Sequence, residues 1–330
     1  MFMKVKSCAA YTSLFLSASL LLITTLAYIL KFDSMMAVTF FPAWLWLIPG
    51  LAFAFLALLH KRRPALIMIC CWLLFLILMV EEVHTIGRGL FINEQKIESL
   101  RQQGKALRVI ALNCAGANAD AAKEAISYKP DILMLTESPS KADAGKLAKE
   151  LFGTQAAMAW DHEATIIARG TVISRSLDKH SAAFMTMARI TLQNGCQIET
   201  ISARLLPAYI GLNLFSPYNW KLHRENRIEH HKQISKVLEQ IKLVPESMPI
   251  IFGGDLNVVA ADGSLNPLKP RLRDCVRSAG VGWPNTAPNE IPLVRIDQIW
   301  TSLHFKVLSA RAVKTQNSDH RMLICDLQLK

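Results

Sequence analysis

The sequence contains no CxxC pair and no Cys/His spacing, which excludes a thiolate-bound zinc module. It has no internal repeat and no low-complexity segment, so solenoid and disordered-tail architectures are excluded too. Acidic residues are scarce: 26 Asp and Glu stand against 37 Lys and Arg, a formal net charge of +11. From residue 83 onward the balance is 31 against 23. That excess suits a polyanion, a phosphorylated ligand or an anionic membrane surface, or is simply a basic soluble surface. The obvious basic stripe with interleaved aromatics expected of a dedicated nuclease is missing.

Charge is absent altogether from three early stretches, residues 7–30, 34–59 and 64–80. Runs of about 17–25 apolar residues cross a bilayer as helices. A signal peptide accounts for the first run alone, and no small-residue cleavage site precedes the other two. Residues 1–82 are therefore expected to form a membrane anchor of three transmembrane helices, at 7–30, 36–59 and 64–81. Pro42 and Pro49 fall inside the second, where lipid-embedded helices tolerate them. Lys4, Lys6, Lys61, Arg62 and Arg63 lie on one side of the spans, and Lys31, Arg88 and Lys96 on the other. The positive-inside rule then puts the N-terminus in the cytoplasm, and everything past the third span in the periplasm or outside the cell.

Residues 83–106 read as a helical or flexible connector, and 107–330 are long enough for one large domain. Apolar runs alternating with amphipathic segments predict an α/β fold. LRVIALN ends at Asn113 and PDILMLTE at Glu137, as buried strands would. Asn194-Gly195 suits a hairpin turn. Apolar residues at helical spacing predict an amphipathic helix over 223–244, with His230 and His231 on a solvated face. Cys114, Cys196, Cys275 and Cys325 read as small buried hydrophobes, and no disulfide pair can be named from them.

Three late segments carry chemistry: IIFGGDLN at 250–257, RIDQIW at 295–300 and SDHRM at 318–322. Phosphoester cleavage needs oxygen ligands for a hard cation, a group that activates water and a group that stabilises developing charge. Two glycines after an apolar strand let the backbone turn and approach a ligand. Asp255 and Asn257, two apart in an extended segment, face one side, where they orient water and donate to an oxyanion.

Taken in order, Asn113, TES with Glu137, GTVISR at 170–175, GGDLN, RIDQIW and SDH resemble the endonuclease/exonuclease/phosphatase superfamily of metal-dependent hydrolases. The resemblance covers about 107–330. It implies a layered α/β sandwich of two packed β-sheets flanked by helices. It further implies Glu137 as principal metal ligand with Asn113 beside it, for Mg²⁺ with Mn²⁺ as the alternative. Asp255 would activate water, Asn257 would stabilise the transition state, and Asp297 would hold a metal or the catalytic geometry. His320 would contact the scissile phosphate, with Asp319 tuning metal or imidazole.

One departure stands out. Where many relatives carry Thr-His-Leu, this chain reads Ser202-Ala203-Arg204-Leu205. Arg204 is either a phosphate clamp or a surface arginine beside an incomplete site. The following stretch, LPAYIGLNLFSPYNWKL, crowds Tyr209, Leu212, Leu214, Phe215, Tyr218 and Trp220 into a loop. It is either a lip for the membrane interface or a packing segment.

The expected function is a membrane-anchored metal-dependent phosphoester hydrolase, with a lean toward a lipid head group over nucleic acid. An extracytoplasmic nuclease, or a non-catalytic membrane protein that binds a phosphorylated ligand, are the alternatives.

Overall fold

The structure, a computed structural model, describes residues 2–330, with side chains from Ser7 onward. Contacts divide the chain into two units. The first gathers the N-terminal helices through His84 with Ile210–Glu225 and Ala261–Gly263; the second holds the remainder.

In the first unit α1 (Phe2–Leu30) contains an apolar stretch, Ser7–Leu30, long enough to cross a membrane. After α2 (Met36–Thr39), α3 (Leu47–Leu58) and α4 (Arg62–Met79), the last is a second such stretch. The expected middle span is instead a pair of helical pieces, Asp33–Thr39 and Ala43–Leu58, bent by 76°. Pro42 sits at the break, where its missing N–H ends one helical segment and its fixed φ starts the next. Pro49 falls near the start of α3. Three segments are knotted at one point: Ser17 Oγ donates to Gly50 O (2.8 Å) and accepts from Trp72 Nε1 (2.9 Å). A Cβ on Gly50 would lie 2.1 Å from the Trp72 ring, so only glycine admits the indole there.

The connector is helical, as α5 (Glu81–Gly89) and α6 (Glu94–Gln102), the latter capped by the Asn93 side chain accepting from Lys96 N–H. From Thr85 onward it belongs to the second unit, to which Arg88 and Arg101 tie it by bonds to the carbonyls of Val276 and Lys129.

The second unit is a two-sheet sandwich. One sheet is built from β1 (Leu107–Asn113), β2 (Ile132–Thr136), β3 (Ala156–Ala159), β4 (Ala164–Arg169), β11 (Phe305–Val313) and β12 (Met322–Leu329). The other is built from β5 (Thr171–Ser174), β6 (Met185–Thr191), β7 (Gln197–Ala203), β8 (Ile250–Asp255), β9 (Leu272–Asp274) and β10 (Asp297–Ser302). Strand order is β11-β12-β1-β2-β4-β3 in the first and β5-β6-β7-β8-β10-β9 in the second. Each sheet has one parallel pair at its centre, β1/β2 and β7/β8, and is otherwise antiparallel.

Strand alternation builds the layers. Val109, Ala111, Ile132 and Met134 point inward onto Ala188, Ile190, Ile198, Ile251 and Ile299 of the opposing sheet. Their neighbours Ile110, Leu112, Leu133 and Leu135 point outward, under Ala122 of α7 (Ala119–Lys123) and Ala144, Leu147 and Phe152 of α8 (Lys141–Phe152). After the single turn α9 (Lys179–Ala182), the second sheet's outer face packs Met185, Ile201 and Phe252 on Ile234, Val237 and Ile241 of α10 (Pro217–Lys242). That helix starts six residues before the expected 223. His230 is wholly buried and bonds Leu206 O at 2.7 Å, contrary to the solvated face expected for it, because the chain leaving β7 folds back over this turn.

The hairpin at Asn194-Gly195 joins β6 to β7, with Gly195 at φ +80. Cys114, Cys275 and Cys325 are buried, Cys196 is half-buried, and all four are free thiols.

Candidate active site

The site forms where strand ends meet at one edge of the sandwich. β1 and β2 run parallel and deliver Asn113 and, one residue past Thr136, Glu137. β8 ends at Asp255, and antiparallel β10 begins opposite it, pairing Asp297 with Asp255. β7, parallel to β8, ends at Ala203 and releases Arg204 beside them. Leu205 N–H donates to Asp255 O, which holds Arg204 at this edge. His320 comes from the loop before β12.

The two glycines of GGDLN do something other than make a turn. Both lie within β8, and a Cβ on Gly253 would stand 2.4 Å from Gln298 O and 2.9 Å from Met134 Cε. On Gly254, at φ +127, it would stand 2.3 Å from Ala203 O. Their role is to let neighbouring strands and the facing sheet close on the carboxylate that follows.

Asn113 bridges two groups of acids. Its amide nitrogen donates to Glu137 Oε1 (3.2 Å) and to Asp255 Oδ2 (2.9 Å), while its Oδ1 accepts from Ala115 N–H (2.8 Å). Glu137 Oε2 accepts from Gly116 N–H at 2.5 Å, in a loop where residues 115, 116 and 117 all have positive φ. Glu137 itself sits at φ +47 and Asn257 at φ +49. Asparagine adopts this region readily; glutamate seldom does. Asn257 reaches Asp255 through this left-handed kink and not through the extended backbone expected: its N–H bonds Asp255 Oδ1 (3.0 Å) and its side-chain amide bonds Oδ2 (3.2 Å).

On the other side His320 Nδ1 lies 2.8 Å from Asp297 Oδ2. Asp297 is fully buried, and its Oδ1 has no hydrogen-bond partner among the described residues. Asp255, Asp297 and His320 each offer a ligand atom within 4.8 Å of the others. Asp319 is exposed and stands outside that group, with its backbone O accepting from Asn289 N–H.

The charges follow from these contacts. Burial, and then the neighbouring Asp297 carboxylate, push Asp255 up to about 6. Burial opposes the imidazolium of His320, but the Asp297 carboxylate beside it prevails and pushes it up to about 10. Burial likewise opposes the Glu137 carboxylate. The Gly116 N–H, Asn113 and the Arg204 charge together outweigh it and hold Glu137 below its ordinary value.

Arg204 is half-buried and paired. Its Nη2 lies 2.7 Å from Glu137 Oε1 and its Nη1 2.9 Å from Glu163 Oε2, while its Nε is buried without a partner among the described residues. Glu163 escaped the sequence reading because it belongs to no motif; its place just before the apolar run at 164–168 was the only signal. Ser318 was also missed. Its hydroxyl donates to Asn113 O (2.7 Å) and accepts from His320 N–H (3.0 Å), joining the first strand to the histidine loop.

A hard divalent cation fits this donor set, which consists of carboxylates, an amide and one imidazole, without sulfur. The orphaned Asp297 Oδ1 marks a buried negative charge that the chain itself does not balance in full.

The family pattern "Endonuclease/Exonuclease/phosphatase family" matches residues 110–320, and the chain belongs to that family of metal-dependent phosphoester hydrolases. Among solved structures, it is similar to an endonuclease/exonuclease/phosphatase from Bacteroides vulgatus, with 14% identity and a TM-score of 0.53 over 68% of this chain and 99% of that one. It is also similar to humanized D. rerio TDP2, with 17% identity and a TM-score of 0.51 over 68% and 99%. A mannosyl-6-phosphatase from Bacteroides thetaiotaomicron matches with 15% identity and a TM-score of 0.50 over 67% and 99%. At these identities the likeness is one of fold. No curated protein matches the chain.

Proposed function

We propose that the chain is a membrane-anchored phosphoester hydrolase, dependent on Mg²⁺ or Mn²⁺, with its site on the extracytoplasmic side and a phospholipid-type head group as the favoured substrate. The observation that carries the reaction class is the convergence of Asp255, paired through Asn113 to Glu137, with the Asp297–His320 couple. The apolar spans carry the anchoring, and the basic residues flanking them carry the orientation.

Glu137, with Asn113 beside it, would hold the cation, whereas Asp319, exposed and outside the converging group, is dropped from the ligand set. When bound, the cation supplies positive charge to a phosphoryl oxygen. Asp255, held through both oxygens by Asn113 and Asn257, accepts the proton of the attacking water. The Asn257 amide, whose two N–H groups go to Leu205 O and Asp255 Oδ2, would release one of them to donate to the oxygen that gains charge. His320, kept protonated and oriented by Asp297, donates to the phosphate or the leaving oxygen. Arg204, held by Glu137 and Glu163, would bring its guanidinium charge beside the same anion.

The test is hydrolysis by the full chain in lipid nanodiscs. A phosphodiester ester of nitrophenol, a phosphomonoester and a phospholipid head group would be compared, with added Mg²⁺ or Mn²⁺ and with EDTA. Turnover lost in EDTA and in His320→Ala is expected. Metal-independent turnover, or full activity in that variant, rules the reading out. Plasmid nicking in preference to head-group release transfers the substrate to nucleic acid.

A further inference from the structure

We propose that residues 210–218 insert into the bilayer interface as a second, non-spanning membrane contact, whose partner is the lipid leaflet into which the first span ends. This inference rests on the membrane reading above.

The segment is uncharged from Leu205 through Trp220, a run bounded by Arg204 and Lys221. Within it Ile210, Leu212, Phe215 and Tyr218 are 69%, 66%, 99% and 65% exposed. A single exposed apolar side chain is ordinary; four large ones within nine residues form a surface that water does not favour. They are held out deliberately. Asn213 Oδ1 accepts from Phe215 N–H, its carbonyl accepts from Ser216 N–H and the Asn219 amide, and Trp220 Nε1 donates to Leu214 O (2.8 Å). Ser216 then caps α10 at Asn219 N–H, with Pro217 at the first helical position. The turn is braced from within, so the apolar side chains do not depend on collapse to be ordered.

The occupant is identified by what the segment is built onto. Ile210–Glu225 belongs to the unit that contains the spans. Its His223 ring lies 5.5 Å from that of Phe40, and the same histidine bonds Gly211 O at 2.9 Å. Phe40 is part of an aromatic collar just past Leu30. Phe40 packs edge-on to Phe41 and Phe41 to Trp46, Tyr28 OH donates to Phe41 O, and Trp46 Nε1 donates to Val38 O (3.3 Å). Aromatic rings at the end of an apolar span mark the head-group zone. The segment 210–218 is seated on that collar, at the depth where an uncharged, aromatic surface is stabilised by lipid.

The experiment places a tryptophan at the tip, Phe215→Trp, in the full chain reconstituted in phosphatidylcholine vesicles. The added fluorescence over the parent is then measured with bromines at different acyl positions, and with iodide in the water. About half or more of the added signal should be lost to bromine near the head-group end, less to bromine at mid-chain and little to iodide. Leu212→Trp should behave alike, which guards against a local effect of one variant. Strong quenching by iodide overturns the inference. So does an added signal insensitive to both quenchers, which would mean that protein, such as a second copy, covers the segment. Release of the chain from vesicles by alkaline wash overturns the membrane reading itself, and this inference with it.

Discussion

Arg204 lies 2.7 Å from Glu137, so a cation of the chain's own already rests on the carboxylate expected to take the metal. A metal on Glu137 would compete with the guanidinium for the same oxygen, and Glu163, 2.9 Å away on the other side, gives the arginine a place to withdraw to. Replacing Arg204 by Gln should tighten binding of Mn²⁺, measured by calorimetry, about three- to tenfold, as expected for losing a partly exposed ion pair. The same variant should raise KM for a phosphoester, because the guanidinium charge beside Glu137 is lost. Unchanged or weaker metal binding in Arg204→Gln would show that the guanidinium and the metal do not share Glu137.

The Asp297–His320 couple predicts a second outcome. Asp297→Asn keeps the shape but removes the charge that keeps the imidazole protonated near neutrality. kcat/KM should fall by about 10² to 10⁴, the usual worth of a positioned acid or base. The alkaline limb of the pH–rate profile, set by His320 at about 10 in the parent, should move down toward the ordinary imidazole range. A profile that keeps its alkaline limb in place rejects His320 as the acid.

Stability of the metal-free chain should decline with rising pH, in two windows. His320 has a folded pKa of about 10, above the ordinary value of 6.5, so its contribution is whole below 6.5 and is lost as pH climbs through 10. Asp255 is also raised, from 3.8 to about 6, so the fold favours its neutral form and loses that preference as pH rises through 6. Thermal unfolding followed by tryptophan fluorescence at pH 5, 7 and 10 in EDTA should give successively lower midpoints. The pH 7 to 10 step should shrink in Asp297→Asn. As a base, Asp255 must be ionised, so activity should follow the opposite sense and rise through about pH 6.

Gly254→Ala tests the closeness of the strands. A methyl group there would press on Ala203 O from 2.3 Å, at a φ of +127 that other residues rarely adopt. Destabilisation of at least about 3 kcal/mol is expected, read from the unfolding midpoint. A variant as stable as the parent would mean that β7 and β8 can part without cost.

Asn113, Glu137 and Asp255 were legible as candidates because each ends a short apolar run, as a buried strand would. Asn257, Asp297 and His320 lie after, at the start of or before a strand, and were found from the order of the motifs along the chain. Glu163 was not, since its partner Arg204 lies 41 positions away and local pattern holds no trace of that pairing. The burial of His230 was hidden for a similar reason: its acceptor is a carbonyl 24 residues earlier, supplied by a loop whose path no periodicity describes. The bend in the second apolar stretch was half visible. Pro42 could be read as tolerated in a span or as its break, and only the packing decides.

The left-handed backbone at Glu137 has a consequence for how this protein can change. Asn and Gly adopt that conformation more cheaply than Glu, so the position favours residues that lack the carboxylate. Glu137→Asn or Glu137→Gly relieves that strain but gives up the bonds from Gly116 N–H, Asn113 and Arg204, so at pH 7 without metal these variants should melt below the parent, and they should bind Mn²⁺ far more weakly.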